Sequence, residues 1–332
     1  MNIYTTITER ILNQLAACTV PWRKTWTTGL PKSLTTGREF RGINLLVLGL
    51  AEHTSRYWIT AREALRRGGQ VRQGEKATPV ISWKERAPEE LARHREETSQ
   101  KNPAPWNPFT SAVFNLDQIE GVPRPADDVS NPSHRRLEVA DQMLAVMHNQ
   151  PEIVHARVHE PAYDRHLDRI TLPHLSQFEN ADEYYAMLFR GLIRATSSVK
   201  RLNRFAQAEG DRVARYSFEE LVAELGTAFL CGFAGISNTS TEAQQASDIK
   251  GWSEALRQNP RWLVWAACAA QDAADYIRGK LPGEPDLVTP SACPDRFPAE
   301  PMNGTLPSAK APSTGPAVIP AGDHLPSLPN DV

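Results

Sequence analysis

Cysteine is scarce in this 332-residue chain: Cys18, Cys231, Cys268 and Cys293 are the only four, and no two form a CxxC pair. Neither a thiolate zinc cluster nor a disulfide framework is therefore indicated. Cys231 and Cys268, in apolar helical surroundings, read as buried reduced thiols. Long apolar runs are missing as well, so no segment has the length of a membrane span. The opening MNIYTTITER has neither a basic leader nor an apolar signal core, and a cytoplasmic location is expected. There is no GxSxG elbow, no phosphate-binding glycine loop, no paired-carboxylate signature and no repeat of solenoid length, so those chemistries and architectures have no signal.

What is present suits a soluble globular protein, with 40% hydrophobic and 23% charged residues and length enough for two domains, each with its own core. The near-zero net charge of -2 conceals an asymmetry. Residues 1–86 carry 14 Lys and Arg against 6 Asp and Glu, which leaves 23 basic and 33 acidic residues for the remainder. Such a split points to a basic module with a polyanionic partner joined to a neutral-to-acidic one.

Periodicity predicts a first helix from Asn2 to Ala17, with Ile3, Ile7, Ile11, Leu12 and Leu15 on one face. Helices follow at INLLVLGLAEH and at TAREALRRGG, the latter opened by a Thr cap and closed by paired glycines, and strands at TPVISWK and SAVFNLDQI. Residues 87–110, polar and then broken by proline, read as an excursion rather than a core element. The Pro/Asp-rich GVPRPADDVSNPS marks a boundary. Beyond it come a helix at HRRLEVADQMLAVMHN, a strand at IVHARV, a hairpin at AYDRHLDRITLP, and helical stretches at ADEYYAMLFRGLIRATS, FEELVAELGTAFLCGF and WSEALRQNPRWLVWAACAAQDAADYIRG. These assignments divide the chain into a domain at 1–121, a linker at 122–133 and a second domain at 134–279. Residues 280–332, with 12 prolines and no periodicity, have the composition of a disordered tail.

Tryptophan and basic residues interleave in the first domain: Trp22, Arg23, Lys24 and Trp26, then Arg38 and Arg41, then Trp58, and finally Arg72, Lys76 and Trp83. Aromatic faces stack on unpaired bases while cations neutralise phosphates, a mixture suited to single strands more than to duplex. The plainer reading makes Trp22, Trp58 and Trp83 core anchors under a solvated surface. The positive excess favours nucleic acid, since a merely solvated surface mixes both signs.

The runs TVPWRKTW, GREFRGINLLVL, WITAREALRRGGQVRQGEKATPVISW and VFNLDQIEG resemble, in order, the N-terminal domain of the ArdC family of antirestriction proteins. The resemblance implies an α+β module that binds single-stranded DNA, typically on mobile elements, and protects incoming DNA from restriction. It extends through YYAMLF, TSSVKRLNR, EELVAELGTAFLCGFAGI and AAQDAADYI, where the family carries a zincin-like metallopeptidase domain. The implied fold class is α+β: a small α+β DNA-binding module, then a mainly helical zincin-like domain with a short sheet, then the tail.

The family's HExxH motif, two His ligands with a Glu that activates metal-bound water, would begin immediately after Phe189. Here Arg190 and Arg194 stand at both ligand positions and Gly191 at the base, so no electron pair is available for a metal. The resemblance implies a third ligand from the next acidic helix, where Glu220 and Glu224 remain. His155, His159, His166 and His174 lie upstream on expected strands or loops, off the motif helix, and read as solvated. A domain with no catalytic residue, no metal and no cofactor is expected, with Arg190 and Arg194 pairing with Glu220, Glu224 or both. The partners expected are single-stranded DNA and, through the second domain, another protein. The competing readings are a zinc peptidase with an unusual ligand set and a protein-interaction module.

Overall fold

The computed structural model describes residues 3–17, 20, 22, 29–51, 53–98, 106–126, 133–158, 161–204, 212–238 and 245–280. Arg23, Lys24, Trp26 and His159 lie outside the described residues, as do Cys18, Cys293, most of the expected linker and, from residue 281 on, the expected tail.

Helix α1 (Ile3–Ala16) forms where the apolar stripe predicted it, and buries Ile7, Ile11 and Leu15 completely. After it come β1 (Lys32–Ser33), α2 (Ile43–Gly49), β2 (Tyr57–Ile59), α3 (Ala61–Arg66) and β3 (Gln70–Val71). They are followed by β4 (Thr78–Glu85), α4 (Pro88–Thr98), β5 (Trp106–Asn115) and β6 (Ile119–Glu120). A four-stranded sheet runs in the order β1-β2-β5-β4, with β1 parallel to β2 and the other pairs antiparallel. Two polar side chains finish it. Asn44 of α2 bonds both the N–H and the carbonyl of Ile81 at 2.8 and 2.7 Å and so covers the outer edge of β4, while Asn115 caps the turn that carries β5 into β6. The Thr60 hydroxyl accepts from Glu63 N–H to open α3, as the sequence predicted.

Where an excursion is expected, residues 88–98 and 106–110 belong to regular elements. Glu89 and Glu90 sit in the first turn of α4, where they suit the helix dipole, and the Glu90 carboxylate accepts from Ala87 N–H. Strand β5 then starts at Trp106 instead of Ser111. Pro108 is tolerated because β2 pairs only with the end of β5, at Phe114 and Asn115, which leaves one side of β5 free of a partner strand at Pro108.

In the second half α5 (Ser133–Val146) leads to β7 (Glu152–Ala156), β8 (Ala162–Asp164) and β9 (Arg169–Pro173), in the order β7-β9-β8. Among the described residues four helices of the second half follow: α6 (Ala181–Ala195), α7 (Arg212–Ala234), α8 (Gln245–Gln258) and α9 (Arg261–Ile277). The last stretch of helical periodicity is thus two helices. Pro260 has no N–H to continue α8, and the Asn259 side chain accepts from Arg261 N–H as α9 begins.

Helix α9 is buried on nearly every side, and α1, α2, α5, α6, α7 and α8 all pack on it. Its alanines, Ala266, Ala267, Ala270, Ala273 and Ala274, let those helices approach closely. The consequence departs from the sequence expectation of a separate core for each domain. Ile7, Ile11, Leu15, Trp22 and Leu46 lie in one hydrophobic cluster with Leu192, Phe229, Trp252 and Leu263. Thr8 donates to the Pro260 carbonyl at 2.9 Å, Gly42 N–H to Gln271 at 3.0 Å, and Arg41 is ion-paired with Asp275. Among the described residues the first half keeps two small clusters of its own, around Trp58 and around Ile59.

Candidate functional site

Helix α6 is capped by Asn180, whose side chain accepts from Glu183 N–H at 3.0 Å, and it buries Leu188, Phe189, Leu192 and Ile193. That apolar stripe turns Arg190 and Arg194 together toward α7. There Glu220 accepts from Arg190 at 3.0 Å and from Arg194 at 2.6 Å, and Glu224 accepts from Arg190. Both arginine side chains are about three-quarters buried, at 25% and 26% exposure, and that of Glu224 is 8% exposed. The pairing expected from the sequence is therefore formed, and both carboxylates take part.

Two glycines allow close packing here, one between the helices and one between α6 and the sheet. A Cβ on Gly226 of α7 would lie 2.6 Å from Ile193 Cδ1, and one on Gly191 would lie 2.8 Å from Ile170 Cγ2 on β9. Ile170 is completely buried. The space beside the motif's base position is thus occupied by a branched side chain from the sheet.

This donor set does not fit a metal. Guanidinium groups donate only, and the two carboxylates that could ligate an ion already accept from them. His155 lies on β7, His166 in the β8–β9 turn and His174 before a short 3-10 turn, all exposed. Among the described residues no group of three or more His, Cys, Asp or Glu is placed to hold an ion. Cys231 and Cys268 are free and buried, and burial, with a smaller contribution from Asp182, pushes the Cys231 thiol far up from its ordinary range.

Two further arginine clusters, built on Arg201 and Arg204 of the TSSVKRLNR run, brace the same helix. Arg204 grips Glu219 of α7 through Nε and Nη2 at 3.3 and 3.1 Å, and it also donates to Thr196 Oγ1 and to the Ile193 carbonyl at the end of α6. Arg201 holds Asp168 in the β8–β9 turn through two bonds of 2.8 and 3.1 Å and donates to the Ala195 carbonyl. Tyr163 and Lys200 also donate to Asp168, at 2.8 and 3.1 Å. Burial alone would raise the Asp168 pKa, but these hydrogen bonds and the Arg201 charge outweigh it and hold the carboxyl down at about 2. Glu219 was legible only as a third acid on an otherwise apolar helix.

Family models match both parts of the chain: the N-terminal domain of anti-restriction factor ArdC over residues 1–112, and a zincin-like metallopeptidase over residues 138–269. The metal-free crystal structure of the antirestriction ArdC protein from plasmid R388 is 31% identical, with a TM-score of 0.67, covering 84% of this chain and 97% of that one. The chain belongs to the ArdC antirestriction family. The Mn(II)-bound structure of the same R388 protein matches equally well, at 30% identity and a TM-score of 0.67. Relatives of the ArdC-like region include a DNA primase TraC of Escherichia coli, 32% identical over 290 residues, and the uncharacterized protein y4eC of Sinorhizobium fredii, 28% identical over 289. These matches cover 82% and 84% of this chain and 26% and 92% of the relatives, so the chain spans about a quarter of the primase.

In the ArdC N-terminal domain the residues singled out from sequence divide into two groups. Trp22 is fully buried, edge-on to Trp252 at 5.2 Å, and Trp58 is 2% exposed. Both are core anchors with no ring face open to a base, which corrects their assignment as stacking platforms: the plainer reading holds because each fills a hydrophobic cluster. Trp83 is half-buried against the main core. Arg41 is spent on Asp275, across the joint with α9. Arg38, Arg72 and Lys76 are exposed, although Arg72 also donates to the Asp117 carbonyl and lies 3.4 Å from Glu75.

Sequence reasoning passed over Arg62, Arg66 and Arg67, all exposed on or just after α3. Arg67 reaches the Leu34 carbonyl at 3.4 Å, which sets α3 beside the turn that presents Arg38. Their signal is the three arginines in the run TAREALRRGG, which its caps and the family resemblance do not single out. Phe109 was missed too. It is 47% exposed on β5, opposite Ser82, and the register puts it on the same sheet face as Lys84.

Proposed function

We propose that this ArdC-family chain binds single-stranded DNA through the exposed cations of its N-terminal region and acts in the cytoplasm as an antirestriction protein of mobile elements. The zincin-like half, on this reading, performs no peptidase chemistry. It completes the fold and remains available to a protein partner. The observation that carries the DNA reading is the row of exposed cations Arg38, Arg62, Arg66, Arg67, Arg72 and Lys76, on α3 and the turns beside it. Glu63 and Glu75 are the acids that pair with some of them, and they leave a positive excess. Arg23, Lys24 and Trp26 complete the proposed set. Single strands are favoured over duplex because the half-exposed Phe109 offers a ring beside Lys84 for an unpaired base, and Trp26 and Trp83 are the further aromatic candidates.

Fluorescence polarisation with the full chain, using single- and double-stranded oligonucleotides at graded salt, tests this reading. The expected result is tighter binding to the single strand, with affinity that falls steeply as salt rises. Equal affinity for both, or none for either, rejects it. For the second half, the replacement of both ligand positions by arginine supports the non-catalytic reading. Elemental analysis is expected to find no stoichiometric zinc, and peptide substrates to remain uncut. Zinc at one equivalent, lost together with activity on chelation, would reinstate a peptidase.

A further inference from the structure

The residues at the motif positions do more than fail to bind an ion. Arg190 and Arg194 lie one turn apart on α6, Glu220 and Glu224 one turn apart on α7, and three contacts close the four into one cluster whose charges sum to zero. Removing the arginines would take from Glu220 and Glu224 the guanidinium groups that face them, in a region where Glu224 has little access to water. With them, the cluster ties the two helices at the place where the zincin-like fold would hold its ion. We propose that this cluster is a metal-free crosslink between α6 and α7, and that Ile170 has taken the space of the general base. The fold of this chain is then indifferent to divalent metal, and the lost centre is closed by packing as well as by the loss of ligands.

Gly191 supplies the second, independent support. Glycine is a poor residue for a helix interior, so at an open position alanine would improve the helix. Here the added methyl would meet Ile170 Cγ2 at 2.8 Å, a β-branched methyl fixed inside the core that cannot swing aside as the tip of a long side chain would. A glutamate at this position would meet the same obstacle from its first side-chain atom. The proposal does not depend on DNA binding.

Thermal melting of the full chain, alone, with equimolar Zn²⁺ or Mn²⁺, and with a chelator, tests the crosslink. The melting temperature is expected to stay unchanged in all cases. Arg190→Met with Arg194→Met, which removes both charges while keeping bulk, is expected to lower it by several degrees, and adding Glu220→Gln with Glu224→Gln to recover part of the loss. If the paired variant does not fold, Arg194→Met alone carries the same expectation. Gly191→Ala should lower the melting temperature of the wild type, yet raise it in an Ile170→Ala background, where the obstructing methyl is gone. A metal-dependent rise, a fall on chelation, or arginine variants that melt as the wild type would overturn the crosslink. A rise for Gly191→Ala with Ile170 in place would overturn the closure.

Discussion

A guanidinium without water must find all its partners in protein, and Arg204 does so with the Glu219 carboxylate, the Thr196 hydroxyl and the Ile193 carbonyl. Removing one member of such a buried pair costs about 3–5 kcal/mol, whereas replacing both by apolar residues of similar volume is often neutral. Arg204→Met is therefore expected to destabilise strongly by urea unfolding, and Arg204→Met with Glu219→Leu much less. Asp168 carries a pH dependence of definite sign. Its folded pKa of about 2 lies below the unfolded value of roughly 3.9, so its contribution is complete above that value and is lost as the pH falls toward 2. Asp168→Asn, which tolerates the local φ of 53°, should melt below the wild type at pH 6, and the gap should narrow through pH 4 to 2. A gap independent of pH would deny the carboxylate this role. The pairing of Arg204 with Glu219 and of Asp168 with Arg201 has no local signal in the sequence, because the partners lie 15 and 33 residues apart.

Among the elements, α3 is a single helical length of six residues, whose stability comes from its Thr60 cap and from Ala64, buried beneath it. Its arginines are free to be altered without disturbing the core. Arg62→Ala, Arg66→Ala and Arg67→Ala are each expected to weaken DNA binding across all sequences and to reduce the salt slope by about one if each meets a phosphate, with melting unchanged. An unaltered slope for all three would move the proposed interface elsewhere on the domain. Element types were largely readable from periodicity and caps: α1, α2, α3, α6 and the strands β4, β5 and β9 stand near their expected places. The failures have local causes. Residues 87–110, broken by proline, read as an excursion rather than a core element, yet Pro108 lies in a strand whose other side has no partner strand at that point. The run from Trp252 to Ile277 kept its helical period across Pro260, where the chain changes direction between two helices.

At the scale of the whole molecule, the core is not divided where the chain is. Trp22 packs against Trp252, α1 against α8 and α9, and Arg41 against Asp275. An isolated fragment of residues 1–121 is therefore expected to expose the apolar face of α1 and the Trp22 ring. By circular dichroism and denaturant titration it should lack the cooperative unfolding of the full chain. A fragment that melts as sharply as the parent would show that the shared core is dispensable. Periodicity, caps and charge by themselves determined the element types and the basic first half, and the family resemblance located the substituted metal motif, because each is written in neighbouring residues or in residues one helical turn apart. Which tryptophans face water, which arginine is taken up by the joint, and that Ile170 fills the place beside Gly191 were decided only in three dimensions. The reason is physical: burial, ion pairing and steric closure depend on groups brought together from far along the chain, such as Arg41 and Asp275, 234 residues apart, and no local spacing records that distance.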